Sequence, residues 1–205
     1  IYKKIISEAV FTGSCTHIAV QSKITQDALR TLEVRGEPIL TGNLIFAETK
    51  QKETKFILYA VTLKDFFGMQ FFGVEMYYEF IENLNCLNLL QKKTKIPVIV
   101  QLHPSAKKSK EKLQRLFPML KFSVKCVSDC LKSSILTISY SSTVIEDSLH
   151  SQVPVILFDQ WSRYQHCHAE TEPSIENKAM YYVQSIEKLI LAVQTICSSK
   201  NIEFS

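Results

Sequence analysis

A doubly wound α/β domain, a Rossmann-like parallel sheet with helices on both faces, is the architecture that this sequence predicts. Three observations point to it. Four short runs, Phe56–Ala60, 97–102, Ser134–Ser139 and 154–158, are rich in Val, Ile or Leu and lack polar alternation. Strands buried on both faces read that way. Helix-length stretches with apolar residues three and four apart fall between those runs, and such β-α-β alternation builds a parallel sheet through right-handed crossovers. The chain has 205 residues and is 46% hydrophobic, which suffices for one large globular domain or two small ones.

Taken in order, residues 1–55 are the least regular. A weak strand at 17–21 precedes a helical stretch at 23–32 that places Ile24, Ala28 and Leu32 on one face. Gly36, Pro38, Gly42 and Asn43 then mark turns, and 50–55 is a polar hinge. This region reads as a sheet edge or as an entry segment from another domain. After the strand Phe56–Ala60, a long helix is expected over 74–90, with Tyr77, Phe80, Ile81, Leu84, Leu87 and Leu89 as its apolar residues. The strand at 97–102 is followed by a helix at 107–117, where Leu113, Leu116 and Phe117 underlie a basic face. A short helix at 144–149 joins the strands at Ser134–Ser139 and 154–158. A weak strand at 181–183 and a helix at 186–197, carrying Leu189, Ile190 and Val193, close the chain. Strand order is not readable from these patterns.

Composition removes several classes. Five Gly and six Pro exclude low-complexity and collagen-like chains. An aromatic content of 10% and a mean hydropathy near zero exclude general disorder. No apolar run reaches the length of a membrane span. The net charge of +4 permits anionic ligands without identifying nucleic acid. Six cysteines, at 15, 86, 126, 130, 167 and 197, are too sparse for a disulfide scaffold and read as small hydrophobes in a reducing compartment. The chain opens at Ile1 with no signal-peptide pattern, and the expectation is a fragment.

Ligands of an open parallel sheet bind beyond the carboxyl ends of its strands, so the residues after each strand carry the functional reading. Thr62 follows the first core strand and His103, Pro104 and Ser105 the second. Tyr140, Ser141, Ser142, Thr143 and Glu146 follow the third, and Asp159, Trp161, Arg163, Tyr164 and His166 the fourth. Ser141-Ser142-Thr143 opens a helix, where free N–H groups favour an anion and hydroxyls add donors. The competing reading is capping, since Thr143 and Glu146 have capping-box spacing. His103 is placed to donate to, or protonate, a phosphate oxygen near neutral pH; a histidine tied to backbone at a turn is the alternative. Arg163 can clamp a phosphate or carboxylate, with Trp161 and Tyr164 stacking on a ring, or the same loop simply folds its aromatics over the core. His166-Cys167-His168 lacks a second ligand pair at zinc spacing, and Cys126 with Cys130 reads as structural, so no metal is assigned. Lys107, Lys108, Lys110, Lys112 and Arg115 form a solvated basic face whose first turn follows His103. Neither a Walker loop nor GxGxxG is present, nor GxSxG.

On these residues the sequence resembles a family. KIPVIVQLHPS (95–105) followed by ISYSSTVIEDSLHSQVPVILFD (138–159) is similar to the donor-binding, carboxyl-terminal half of bacterial GT-B glycosyltransferases of surface and capsular polysaccharide synthesis. The nearest in pattern are sialyl-, polysialyl- and Kdo-transferases that use CMP-sugars, and CDP-glycerol glycerophosphotransferases. VRGEPILTGNLIF (34–46) and KFILYAVT (55–62) resemble the interdomain entry of that group. The resemblance implies that 1–205 is one half of a GT-B fold, with 1–55 as an entry segment. It implies that His103 contacts the donor phosphate and protonates it on departure, that Pro104 shapes the turn beside the base, and that Ser141, Ser142 and Thr143 hold the phosphate. Glu146 would bind the ribose hydroxyls, as a carboxylate can for a diol; Ser105, Thr62 and Arg163 complete the candidate nucleotide site.

The implied donor is a CMP-, CDP- or UDP-linked sugar, most simply cytidine-linked, with no metal cofactor because side-chain donors and the helix dipole neutralise the leaving phosphate. The acceptor, a surface glycan or a lipid-linked one, would be held by an amino-terminal domain not in this sequence, without which the fragment should turn over nothing. The expected location is the cytoplasm at the inner face of the membrane, with peripheral membrane contact allowed and no nucleic-acid partner. Two rivals stand beside this reading: a UDP-N-acetylglucosamine 2-epimerase-like enzyme and a non-catalytic Rossmann-like binding module.

Overall fold

The computed structural model describes residues 16–20, 23–31, 36–42, 56–61, 73–140, 142–162 and 168–204. The chain divides into two compact units, 1–47 and 48–205. In the first, β1 (His17–Val20) and β2 (Glu37–Leu40) pair in parallel around α1 (Lys23–Thr31). The region 36–40, expected as turn, is thus partly a strand. Pro38 is compatible with it because alternate residues donate to β1, Glu37 to the Thr16 carbonyl and Thr41 to the Val20 carbonyl, both at 2.9 Å, so that no ladder donor is needed at 38. The buried Gln26 donates through Nε2 to the Pro38 carbonyl at 2.8 Å, tying helix to strand.

The second unit holds β3 (Phe56–Ala60), α2 (Gly73–Thr94), β4 (Val98–Gln101), a 3-10 segment (Pro104–Ser109), α3 (Lys110–Leu116) and β5 (Lys121–Ser123). It continues with α4 (Val127–Leu131), β6 (Ser134–Ser139), α5 (Val144–His150), β7 (Val155–Phe158), β8 (Met180–Val183) and α6 (Ile186–Ser198). Six strands form one sheet in the order β5-β4-β3-β6-β7-β8, every pair parallel. Counted from β3, this is the doubly wound order 3-2-1-4-5-6. The predicted fold class is therefore the observed one. In this unit two elements lie outside the sequence expectation, the three-residue β5 and the five-residue α4, and the helix expected from 107 begins as a 3-10 turn.

Side-chain alternation sorts the strands into two faces. Ile57, Tyr59, Val98, Val100, Leu136, Ile138, Ile156, Phe158, Tyr181 and Val183 point to one of them. There they meet Phe80, Leu84, Leu87 and Leu90 of α2 and Leu189, Ala192, Val193 and Ile196 of α6. The spacing of those helical residues gives each helix one apolar stripe. The opposite face carries Leu58 with Cys130 and Leu131 of α4, and Val155, Leu157 and Tyr182 with Ile145 of α5. Helix α6 starts at Ser185, whose hydroxyl accepts from the Lys188 N–H at 3.3 Å. Helix α2 ends at Lys95, which adopts φ +61 and closes the last turn through its N–H on the Gln91 carbonyl. No helix of the described residues is long and apolar enough to cross a membrane.

Candidate functional site

The strand order reverses between β3 and β6, and connections leave these two neighbours in opposite directions. Doubly wound sheets take their ligands at the carboxyl ends of such a pair, and the candidate site is placed there. The last row of side chains on the α4/α5 face is small or polar there: Gln101 of β4, Ala60 of β3 and Ser139 of β6. Ser139 is fully buried and its hydroxyl donates to the Ala60 carbonyl at 3.4 Å, across the switch point. The deeper row holds Ile99, Leu58 and Thr137. The carboxyl-terminal row of this face therefore lacks the aliphatic bulk that Ile99 and Leu58 supply one row below it.

His103 leaves β4 two residues past Gln101, on one side of this site, and is exposed. Its carbonyl accepts from the Ala106 N–H at 2.9 Å, which starts the 3-10 turn Pro104–Ser109. Pro104 and Ser105 are the first residues of that turn. Ser142, Thr143 and Glu146 lie on the other side, past β6. Two strand spacings, about 10 Å, separate the exits of β4 and β6. Thus His103 and the Ser142–Glu146 segment share the same end of the sheet, flanking β3. Thr62, Ser141 and Arg163 lie outside the described residues, as do Tyr164 and His166.

The predicted capping box is not made. Thr143 is the N-cap of α5, but its backbone is already helical, at φ −60 and ψ −17, and its side chain makes no capping bond. An N-cap hydroxyl reaches the helix N–H groups from an extended backbone. Ser142, one residue earlier, supplies the local contact, accepting from the Val144 N–H at 3.3 Å. Thr143 and Glu146 are both exposed.

Beside the candidate site sits a carboxylate that the sequence reading placed at the strand exits without giving it a role. Asp159, the first residue past β7, is completely buried. Its N–H extends the ladder to the Val183 carbonyl at 2.9 Å. Its Oδ2 accepts from the Tyr182 hydroxyl at 2.8 Å, and Oδ1 has no hydrogen-bond partner. Gln184 donates to the Tyr182 oxygen at 3.3 Å. Burial, and then Asp159, push the Tyr182 phenol above its ordinary range, so it stays a donor. Next to it, Gln160 turns inward, donating to Asn83 Oδ1 at 2.6 Å and accepting from Cys86 Sγ at 3.3 Å. The available signal was the strand alternation, which puts residue 159 on the same face as Tyr182.

A second cleft, of about 580 Å³, lies beside the amino-terminal end of β8, where His150, His168, Glu170, Lys178 and Glu203 surround an apolar floor. It is remote from the switch point. Among the described residues no group of three metal-ligating side chains forms.

The fold has solved counterparts. UDP-GlcNAc 2-epimerase from Methanocaldococcus jannaschii is similar over 91% of this chain and 56% of its own, with 16% identity and a TM-score of 0.56. The same enzyme in complex with UDP-GlcNAc and UDP gives a TM-score of 0.59 at 16% identity, over 90% of this chain and 55% of its own. The E. coli heptosyltransferase WaaC with ADP-2-deoxy-2-fluoro heptose gives 0.43 at 12% identity, over 88% of this chain and 57% of its own. The chain therefore spans about half the length of these structures, and its six-stranded unit has the fold of one half of a GT-B-type enzyme. No family model and no curated protein sequence matches it.

Proposed function

We propose that this chain is the donor-binding half of a GT-B-type glycosyltransferase, and that it takes a nucleotide-activated sugar, cytidine-linked by the resemblance of its His-Pro and Ser-Ser-Thr motifs. The observation that carries this reading is the strand-order reversal between β3 and β6, flanked by His103 on one side and Ser142–Glu146 on the other. In this reading the nucleotide phosphate lies across the candidate site. The exposed imidazole of His103 donates to a phosphate oxygen and hands over a proton as the sugar–phosphate bond breaks. Ser141, Ser142 and Thr143 donate hydroxyls to the same phosphate, and the Glu146 carboxylate accepts from the ribose diol. Pro104 and Ser105 set the turn that carries His103, and by the resemblance Thr62 and Arg163 are assigned to the same nucleotide. The acceptor, a surface glycan or a lipid-linked one, falls to a second domain, and no metal is used.

Calorimetric titration with CMP, CDP and UDP tests it. Binding of a cytidine nucleotide that weakens about tenfold in His103→Ala, the equivalent of one lost charge-assisted hydrogen bond, is the expected result. Heats absent with all three nucleotides, or unchanged by His103→Ala, refute the donor site. The solved epimerase, whose crystals hold UDP-GlcNAc and UDP, favours a second reading, a sugar-nucleotide epimerase. That reading requires UDP to bind more tightly than CMP and CDP.

A further inference from the structure

The charge of the molecule is not spread evenly. Between Gln91 and Lys132 the sequence carries eleven Lys or Arg against two acids, Glu111 and Asp129. That stretch is net +9 in a chain of net +4, so the remainder is net −5. Part of this charge, Lys107 and Lys108, lies by the candidate site. Another part gathers at the opposite end of the sheet. Crossover helices run against their strands, so the last turns of α2 and α3 lie at the same end as the first residues of β4 and β5.

Two glutamines fasten that end together. Gln91 accepts from the Val98 N–H at 2.7 Å through Oε1 and donates to the Met119 carbonyl at 2.8 Å through Nε2. Gln114 donates to the Leu120 carbonyl at 2.7 Å and accepts from the Phe122 N–H at 3.3 Å. Lys92, Lys93, Lys95, Arg115 and Lys121 are thereby held on one surface, all exposed. None of the five is ion-paired among the described residues.

Apolar side chains stand among them. Leu116 is 57% exposed and Met119 47%. Leu89 is 40% exposed, three and four residues before Lys92 and Lys93 and so on their face of α2. Favourable interaction with the helix dipole accounts for Lys92 and Lys93 at the end of α2. It does not account for Lys95 and Lys121, nor for three large apolar groups left in water. Lys95 is held at φ +61, where glycine is the unstrained residue.

We propose that this end of the sheet, formed by the last turns of α2 and α3 and the first residues of β4 and β5, docks on an anionic lipid bilayer. The five cations meet the headgroup phosphates, and Leu89, Leu116 and Met119 enter the headgroup–acyl boundary. A rim of cations around protruding aliphatic groups is what such an interface requires. A nucleic acid would need exposed aromatic or polar groups for its bases, and the aromatics beside the patch, Phe117 and Phe122, are buried. The proposal does not rest on the nucleotide reading, because the patch and the candidate site occupy opposite ends of the sheet.

Co-sedimentation of the 205-residue chain with phosphatidylcholine vesicles, alone or with about one-third phosphatidylglycerol, tests it. Pelleting should require the anionic lipid and fall as salt rises. Each cation removed should weaken binding about fivefold, so the triple variant Lys92→Glu, Lys93→Glu, Lys121→Glu should no longer pellet. The control Lys107→Glu, Lys108→Glu, at the other end, should keep most of the binding. Leu116→Ser with Met119→Ser should weaken binding at unchanged charge. Equal pelleting with pure phosphatidylcholine, equal loss in the control, or no effect of the serine pair overturns the proposal. So does polyuridylate that binds the chain more tightly than the vesicles and displaces it from them.

Discussion

The two faces of the six-stranded sheet are built from different chemistry. Against α2 and α6 the sheet presents an unbroken set of Ile, Val, Leu, Phe and Tyr residues. Against α4 and α5 the aliphatic clusters are smaller and polar groups are sealed between them. Ser148 Oγ of α5 lies 2.9 Å from Thr137 Oγ1 of β6. Gln101 donates to the Lys125 carbonyl at 2.7 Å, and Ser139 and Asp159 stand at the rim. The α2/α6 face holds mainly by apolar area, with the Tyr59 and Tyr181 phenols among its few buried polar groups. A face with paired hydroxyls and amides is more directional and can end in a ligand site. The difference separates what stabilises this domain from what shapes its candidate site.

Leu84→Ala, on the aliphatic face at a completely buried position, should show the largest loss, about 2–5 kcal/mol in urea unfolding. A smaller value would mean that α2 collapses onto the space and that the face is less closely packed than its burial indicates. Next in size is Tyr182→Phe, which leaves both oxygens of the buried Asp159 without a donor and should cost about 1–3 kcal/mol. The double change Tyr182→Phe, Asp159→Leu should recover part of that loss; if it does not, the carboxylate has a role beyond its pairing. Ser148→Ala should cost about 1 kcal/mol, since only the contact with Thr137 and a bond to the Val144 carbonyl are lost.

The smallest effect is confined to alkali. Burial first, and then the Glu79 carboxylate, push the Tyr59 phenol well above its ordinary range, and burial does the same to Tyr181. The unfolded phenols lose their protons near pH ~10 while the folded ones keep theirs. The contribution of these groups is therefore complete below that pH and lost as the pH rises towards their folded values. Urea midpoints should fall above about pH 10, and Tyr59→Phe should make that fall shallower. A variant with the same alkaline slope would remove Tyr59 from the account.

The sequence was most legible where burial is complete. Phe56–Ala60 and Ser134–Ser139 were read to the residue, because each is a short run built around Ile and Leu without polar alternation, as a strand covered on both faces is. It was least legible where an element is too short to show a period. β5 has three residues, Lys121-Phe122-Ser123, with only the middle one buried. In β2, Gly36 and Pro38 signal a turn, and pairing with β1 overrides them. The site follows the same division. That His103 and Ser142 leave strands on either side of β3 depends on strand order, which no local pattern encodes. The spacing of Thr143 and Glu146 fitted a capping box, but the helical backbone of Thr143 turns its hydroxyl away. Asp159 could not be told from any polar residue at a strand exit until Tyr182, 23 residues on, was seen to cover it.

The left-handed lysine that ends α2 pulls two properties of the domain in opposite directions. A side chain in that conformation costs about 1 kcal/mol, and replacing Lys95 by glycine would relieve it while deleting a cation. A selection for heat resistance alone would therefore drift towards a molecule that holds its shape better and clings less to negatively charged surfaces.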